Sequence, residues 1–338
     1  MESSMKKYAG KIERNEVNPL IVDDGAINGL IMDPQREEAP LEIIGFGIYR
    51  LEQEFITRET REKEMVLVPQ AGEFEIETDG RRFSGGRTGG PFAAGPGKTN
   101  ASALYIPCNA GFKIRGNGEV AFFTAPALRE NAPFYLSQEE VQVVSRGEWI
   151  WRRNVINLVS PKNGSSNLIV GETYNPPGFW SGTPIHRHDS NQPSLGESDH
   201  EEIYYHRFGW KQETEDQFGP YGVQLLMDEK GLRKAYLITD KSVFAIPGGC
   251  HPVVASPVSE LLYLWGLAGR GGELAMKDIP EFVHIKRFEE IFRELEGKRE
   301  IRAVSPSVLD AVVREYALTK KQKNLLLIML REKGFEIE

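Results

Sequence analysis

What most constrains this chain is its punctuation. Glycine and proline, 34 and 20 of the 338 residues, recur throughout and leave between them short runs rich in Val, Ile, Tyr and Phe. Such runs, bounded by turn formers, read as strands. They are Leu41–Tyr49, Glu64–Pro69, Phe74–Thr78, Ala103–Pro107, Glu119–Ala125, Asn167–Tyr174, Glu202–Phe208, Gly222–Met227, Ser242–Pro247 and Glu260–Gly269. Up to about residue 270 the chain is therefore expected to be all-β, of sandwich or barrel type.

The strands form two groups, one ending near Ala125 and one starting near Arg153, joined by a segment with the helix-like Leu136–Val144. Two tandem β-domains follow. A faint echo supports the pairing: Ile106-Pro107 and Ile246-Pro247 each end a strand and enter a turn. After His284 the grammar becomes helical. Phe288, Ile291, Phe292 and Leu295 follow the i, i+3, i+4, i+7 pattern. Ser305-Pro306 reads as an N-cap with proline in the first turn, and Thr319 with Gln322 as a capping box. Residues 286–338 are thus expected to be a three-helix appendage.

Several function classes are disfavoured. Acidic residues outnumber basic ones by 49 to 41, which argues against nucleic acid as a partner. Lys320, Lys321 and Lys323 belong to a tail with six basic and five acidic residues after Ala303, a solvated face. Gly95–Thr99 imitates the end of a phosphate-binding loop, but the required first glycine is Phe92 and strands flank it on both sides. No apolar run approaches the ~20 residues of a spanning helix, and none of signal-peptide length opens the chain. Two cysteines, Cys108 and Cys250, make no disulfide framework, so a cytoplasmic setting without membrane partners is expected.

The histidines are unevenly placed. Five of six lie between residues 186 and 251, and the first 185 residues have none. In a strand, His186 and His188 would point to one face about 7 Å apart, close enough to share an ion. That spacing alone leaves a metal site and a pair of hydrogen-bonded imidazoles both open. A carboxylate in EEIYYHRF and His251 in a strand-end turn extend the pattern. Three imidazoles and one carboxylate suit Zn or Mn, with Fe or Ni as alternatives, and leave positions for water or substrate.

These motifs carry a resemblance. LIVGETYNPPGFWSGTPIHRHD, EEIYYHRF, GYGVQLLM, GCHPVVASP and LYLWGLAG, with LYIPCNAGFKI and VSRGEWIWRRNV earlier, resemble the bicupin family of 5-deoxy-glucuronate and 4-deoxy-uronate isomerases. The likeness runs from about Leu41 to His284. It implies two tandem cupin barrels: a metal-free domain over 1–135, a metal-binding domain over 136–285, and the helical extension 286–338. It also implies the ligands His186, His188, Glu202 and His251. Glu201 rivals Glu202, since parity and spacing do not choose between neighbours; the family pattern favours Glu202.

The implied reaction is metal-dependent aldose–ketose isomerisation of 5-deoxy-D-glucuronate to 5-dehydro-2-deoxy-D-gluconate in myo-inositol catabolism. Isomerisation of another sugar acid and a metal-dependent dioxygenase are the alternatives, and a non-catalytic sugar-acid sensor is a third. Proton transfer needs a base, for which His206, Tyr204, Glu172 and a metal-bound hydroxide are candidates. Alternation puts Tyr204 and His206 on the face of Glu202, and Tyr205 and Arg207 on the other. Glu172 is either a base with a raised pKa or the partner of a ligand imidazole. Arg187, Arg207, Arg152 and Arg153 are available for the carboxylate of a small sugar acid. A homo-oligomer is expected. Two departures from the family stand out: Thr183-Pro184-Ile185 before the histidine pair, and Cys250 before His251. Cys250 is either a soft fifth ligand or a buried small hydrophobe.

Overall fold

A computed structural model describes residues 3–209, 219–270, 273–297 and 303–337. The first barrel is a sheet in the order Gly29–Met32, Gly45–Glu52, Gly111–Pro126, Lys63–Thr78, Ala103–Ile106, Phe134–Leu136, with Ile56–Glu59 and Arg81–Arg87 as side branches. The expected strands 64–69 and 74–78 are one strand of 16 residues with a bulge between Pro69 and Ala71. Pro69 is tolerated there because the neighbour on that side, Ala103–Ile106, pairs only with Met65–Leu67.

The second barrel opposes two sheets. The larger runs Leu20–Val22, Ser242–Ile246, Glu197–Gly209, Glu260–Gly269, Ile169–Asn175, Arg153–Val159, Val143–Arg146. The smaller runs Trp180–Ser181, Val253–Ala255, Tyr221–Met227, Arg233–Thr239. Glu197–Gly209 is buried along almost its whole length. One face lines its own barrel, with Tyr204, Phe208, Phe244 and Tyr263. The other joins the first barrel in a single core of Phe46, Val66, Phe123, Ile203, Tyr205 and Leu264. A strand covered on both faces loses the clean apolar–polar alternation of a half-exposed one.

The N-terminal residues depart from sequence order. Helix α1 (Ser4–Glu13) buries Met5, Tyr8 and Ile12 against Phe244 and Ile246 of the second barrel. Leu20–Val22 then pairs with Ser242–Phe244. Residues 4–22, counted with the first domain from the sequence, therefore pack on the second. Leu136–Val144 is not helical. Ser137 and Glu140 close a single turn, in which the Ser137 N–H donates to the Glu140 carboxylate at 2.9 Å, and the β-branched Val143 and Val144 continue as a strand against Val155 and Ile156.

The C-terminal part holds α2 (His284–Gly297), α3 (Pro306–Glu315) and α4 (Lys320–Glu332). Ser305 caps α3, and Thr319 and Gln322 close a reciprocal capping box on α4, as the sequence leads one to expect. Phe288, Ile291, Phe292 and Leu295 are fully buried against Leu326, Met329, Leu330 and Trp151. Each such side chain contributes about 1.5–3 kcal/mol of burial.

Candidate metal centre

The long strand Glu197–Gly209 decides which carboxylate faces inward. Glu202 pairs with Leu267 and Ile246, and its side chain meets the histidines inside the barrel. Its neighbour Glu201 points the other way, where its carboxylate accepts from the backbone N–H groups of Glu42 (2.8 Å), Ile43 (2.8 Å) and Ile44 (3.2 Å) and from the Ser4 hydroxyl. Glu201 is thus committed to holding the chain of the first barrel.

His188 and His251 bring Nε2 to 3.2 and 3.1 Å from the same Glu202 oxygen, Oε2. Ligand atoms of His188, Glu202 and His251 lie within 4.8 Å of one another, and all three residues are buried. His186 stands beside them, its ring edge-on to His251 at 5.7 Å between centroids. Backbone carbonyls set the tautomers. Nδ1 of His188 donates to His200 O (3.0 Å), Nδ1 of His251 to Gly249 O (2.8 Å) and Nδ1 of His186 to Pro184 O (2.9 Å). A carbonyl can only accept, so each neutral ring carries its proton on Nδ1 and presents a lone pair at Nε2.

Lone pairs converging on a buried carboxylate repel unless positive charge lies between them. That donor set fits a divalent cation, with His186, His188, Glu202 and His251 as the residues that would hold it. Burial works against the Glu202 charge; where no ion lies between them, hydrogen bonds from protonated Nε2 of His188 and His251 outweigh burial and hold the carboxyl down to about 2, a positive charge that a bound cation would supply instead. Burial, and then His251, push His186 down to about 4, so it is neutral near pH 7.

Other expected site residues separate cleanly. Tyr204 follows Glu202 on the inner face, 5.9 Å from His251 and 4.5 Å from Tyr263 between ring centroids. Burial raises its hydroxyl well above 10, which keeps it a neutral donor. His206 sits one ring deeper, 5.8 Å from Tyr204, with Nδ1 donating to Ser242 O. Burial holds it neutral, with a pKa of about 4.

Glu172 is not in the site. It pairs with Ile156 and Leu264 and so points to the outer face, toward the first barrel. There Arg87 clamps it through Nη1–Oε1 at 2.6 Å and Nη2–Oε2 at 2.9 Å, both side chains fully buried. Arg207 also faces outward, hydrogen-bonded to Asp240 and stacked over Tyr205. Arg187 turns away from the histidines on either side of it and pairs with Glu229 at 2.7 Å and Glu197 at 3.2 Å. None of the three reaches the metal centre. Cys250 bridges by its backbone to Met227, its thiol lies outside the ligand cluster, and burial pushes it up to about 11. The small hydrophobe is the better description.

Two inner-face residues complete the surroundings. Tyr263, which sequence reasoning missed, is hydrogen-bonded to Ser181 at 2.7 Å. Alternation along Glu260–Gly269 puts it in phase with Trp265 and Leu267, but without the register to Glu202 nothing says that this phase is the inner one. Arg153 shares the face of Val155 and Thr173, because Asn154 and Tyr174 pair outward.

The glycine-rich loop that imitates a phosphate site serves packing. Gly97 O accepts from Asn154 of the second barrel at 2.8 Å, and a Cβ at Gly97 would meet that amide at 2.7 Å.

Comparison with known proteins agrees with this architecture. The chain is 29% identical over 238 residues to a 5-deoxy-glucuronate isomerase of Geobacillus thermodenitrificans, covering 69% of this chain and 82% of the relative. It is 26% identical over 267 residues to one of Listeria monocytogenes, covering 77% and 92%. The crystal structure of an IolB-like protein from Salmonella typhimurium superposes with a TM-score of 0.71 at 27% identity, over 80% of this chain and all of that one. An oxalate decarboxylase of Lactobacillus farciminis shares the fold alone, with a TM-score of 0.52 at 11% identity over 83% of this chain and 94% of that one. Two tandem cupin barrels with a helical extension are therefore the architecture. The KduI/IolB family model matches residues 21–285, and the chain belongs to that family.

Proposed function

We propose that this protein is a metal-dependent aldose–ketose isomerase that converts 5-deoxy-D-glucuronate to 5-dehydro-2-deoxy-D-gluconate, a step of myo-inositol catabolism. The observation that carries the reading is the convergence of His188 and His251 on Glu202, with His186 alongside and every Nδ1 proton engaged by a carbonyl. The relatives named 5-deoxy-glucuronate isomerase support the substrate. A divalent ion held there, Zn or Mn ahead of Fe or Ni, supplies Lewis acidity to a sugar carbonyl.

The chain's own residues do the rest. The neutral hydroxyl of Tyr204, beside His251, is placed to donate to an oxygen that gains negative charge during proton transfer between C1 and C2. His206 supports Tyr204 from beneath and, being neutral and buried, adds no competing charge. Glu172 has no part in proton transfer.

The test is metal content and turnover of purified protein beside His188→Ala and Glu202→Gln. Both variants are expected to fold, to lose the metal, and to lose turnover of 5-deoxy-glucuronate. Full metal content in both, or a metal-replete wild type that turns over neither this acid nor a 4-deoxy-uronate, overturns the reading.

A further inference from the structure

A sugar acid has a second end, and the arginines that sequence reasoning offered for its carboxylate are not equivalent. Arg187 and Arg207 are paired with acids on outward faces. Arg152 is exposed at the end of the short turn Trp149–Trp151. Arg153 alone of the four lies on the inner face. Among the described residues its guanidinium makes a single hydrogen bond, from Nη1 to Trp151 O at 3.2 Å, and no carboxylate lies within ion-pair distance. Its charge acts on the hydroxyls of Tyr204, beside His251, and of Tyr263, whose ring is tilted against that of Tyr204. A half-buried fork of donors with no acid in ion-pair contact, on which the more distant Glu289 carboxylate also acts, is suited to receive an anion.

Arg153 is held by Trp151, and what holds Trp151 in turn comes from outside the family match, which ends at residue 285. Asp278 pairs with His186 and Ile279 N–H donates to Ile185 O, so the chain leaves the metal centre directly and enters α2 at His284. From α2, Glu289 accepts a hydrogen bond from Trp151 Nε1 at 2.8 Å. Trp151 is buried among Phe288, Phe292 and the other apolar residues of the extension, and its carbonyl holds Arg153. We propose that Arg153 receives the carboxylate of the sugar-acid substrate, and that α2 holds it in place through Glu289 and Trp151. This rests on the isomerase reading for the identity of the substrate, not for the existence of the anion site. Arg153 is then a binding residue and Glu289 a positioning residue.

The test uses the metal-loaded full chain and two probes, D-glucuronate and D-glucose, which differ at C6 by a carboxylate against a neutral hydroxymethyl. Calorimetric titration of the wild type is expected to show preference for the acid. Arg153→Met should weaken glucuronate binding roughly 10- to 100-fold and leave glucose binding and metal content unchanged. Arg153→Lys, which keeps the charge without the fork, should fall between. Glu289→Ala should raise KM for the acid with kcat unchanged, and Glu289→Gln, which keeps the acceptor for Trp151, should restore it. Wild-type preference for the acid in Arg153→Met, or no preference in the wild type, overturns the proposal. Acid binding that depends on Arg153 without turnover of 5-deoxy-glucuronate overturns the isomerase reading and leaves the anion site standing.

Discussion

The two barrels place a glutamate at the same point of the same strand and then diverge at the next residue. In the first, Glu64 and Met65 pair with Ala125 and Thr124, and Met65 faces Ile106 across the sheet. In the second, Glu201 and Glu202 pair with Ala268 and Leu267, and Glu202 faces Ile246. The outward residues do reciprocal work. Glu64 accepts from the N–H groups of Ser166, Asn167 and Leu168 in the second half, and Glu201 accepts from those of Glu42, Ile43 and Ile44 in the first. The inward residues differ: a thioether in one barrel, the carboxylate of the candidate metal centre in the other. The first barrel keeps a cavity of about 920 Å³ at its mouth, lined by Leu30, Met65 and Phe122, but it has no histidine. One scaffold therefore separates two jobs by strand parity, joining the barrels on one face and doing chemistry on the other.

The comparison can be broken most severely by making the second barrel like the first. Glu202→Met should abolish metal binding and turnover, read as metal content by mass spectrometry and as rate. The reverse change, Met65→Glu, should leave metal stoichiometry unaltered, because a carboxylate without imidazoles makes no comparable site. A gain of bound metal there would show that the parity argument is incomplete.

Next in size is the buried tie between barrels. Arg87→Met strands the Glu172 charge and should cost about 3–5 kcal/mol in denaturant unfolding. Pairing it with Glu172→Met should recover much of that loss, and metal content should stay intact in both. Glu172→Gln should leave the pH profile of kcat unchanged; a shifted profile would return Glu172 to the catalytic machinery.

Smaller losses are expected from the reciprocal clamps. Glu64→Gln and Glu201→Gln should each cost about 1.5–3 kcal/mol, since each gives up hydrogen bonds from backbone N–H groups to a charged acceptor. Similar losses would confirm that the outward positions are equivalent; loss of metal in Glu201→Gln alone would not.

The smallest effect is one of pH. Burial pushes His200 and His206 down to about 4, so between pH 6.5 and 4 the unfolded chain binds protons that the folded chain refuses. Stability is full above pH 6.5 and falls as pH drops through that window, by at most about 1.4 kcal/mol per pH unit for each histidine. Since the first barrel has no histidine, this acid sensitivity belongs to the second. Replacing both residues by Gln should flatten the slope.

The strands and the histidine cluster were more legible in the sequence than orientation was. Gly–Pro punctuation marks strands wherever the chain turns sharply, and His186, His188 and His251 declare themselves by clustering. The choice between Glu201 and Glu202 did not follow from alternation, because both faces of that strand are buried and both carboxylates have partners. Glu172 could be read as a base or as the partner of a ligand imidazole because its real partner, Arg87, is 85 residues away and joins it only across the barrel interface. Arg153 was indistinguishable from Arg152, Arg187 and Arg207 until the pairing of its neighbours Asn154 with Tyr174 and Val155 with Thr173 set its face. Leu136–Val144 has the polar–apolar spacing of a helix, yet its valines find a strand partner. Helix α1 has a short and mixed apolar stripe, and tertiary contacts with Phe244 and Ile246 do what periodicity could not.

The strand Leu20–Val22 also sets an order of events. It closes the edge of Ser242–Ile246, so residues made early in synthesis find their place only after more than two hundred others have followed. Until then the histidine-bearing barrel has an open edge, the kind of surface along which chains join one another. Mass, charge or a purification tag placed directly ahead of α1 would thus act on the yield and assembly of the barrel farther along the chain.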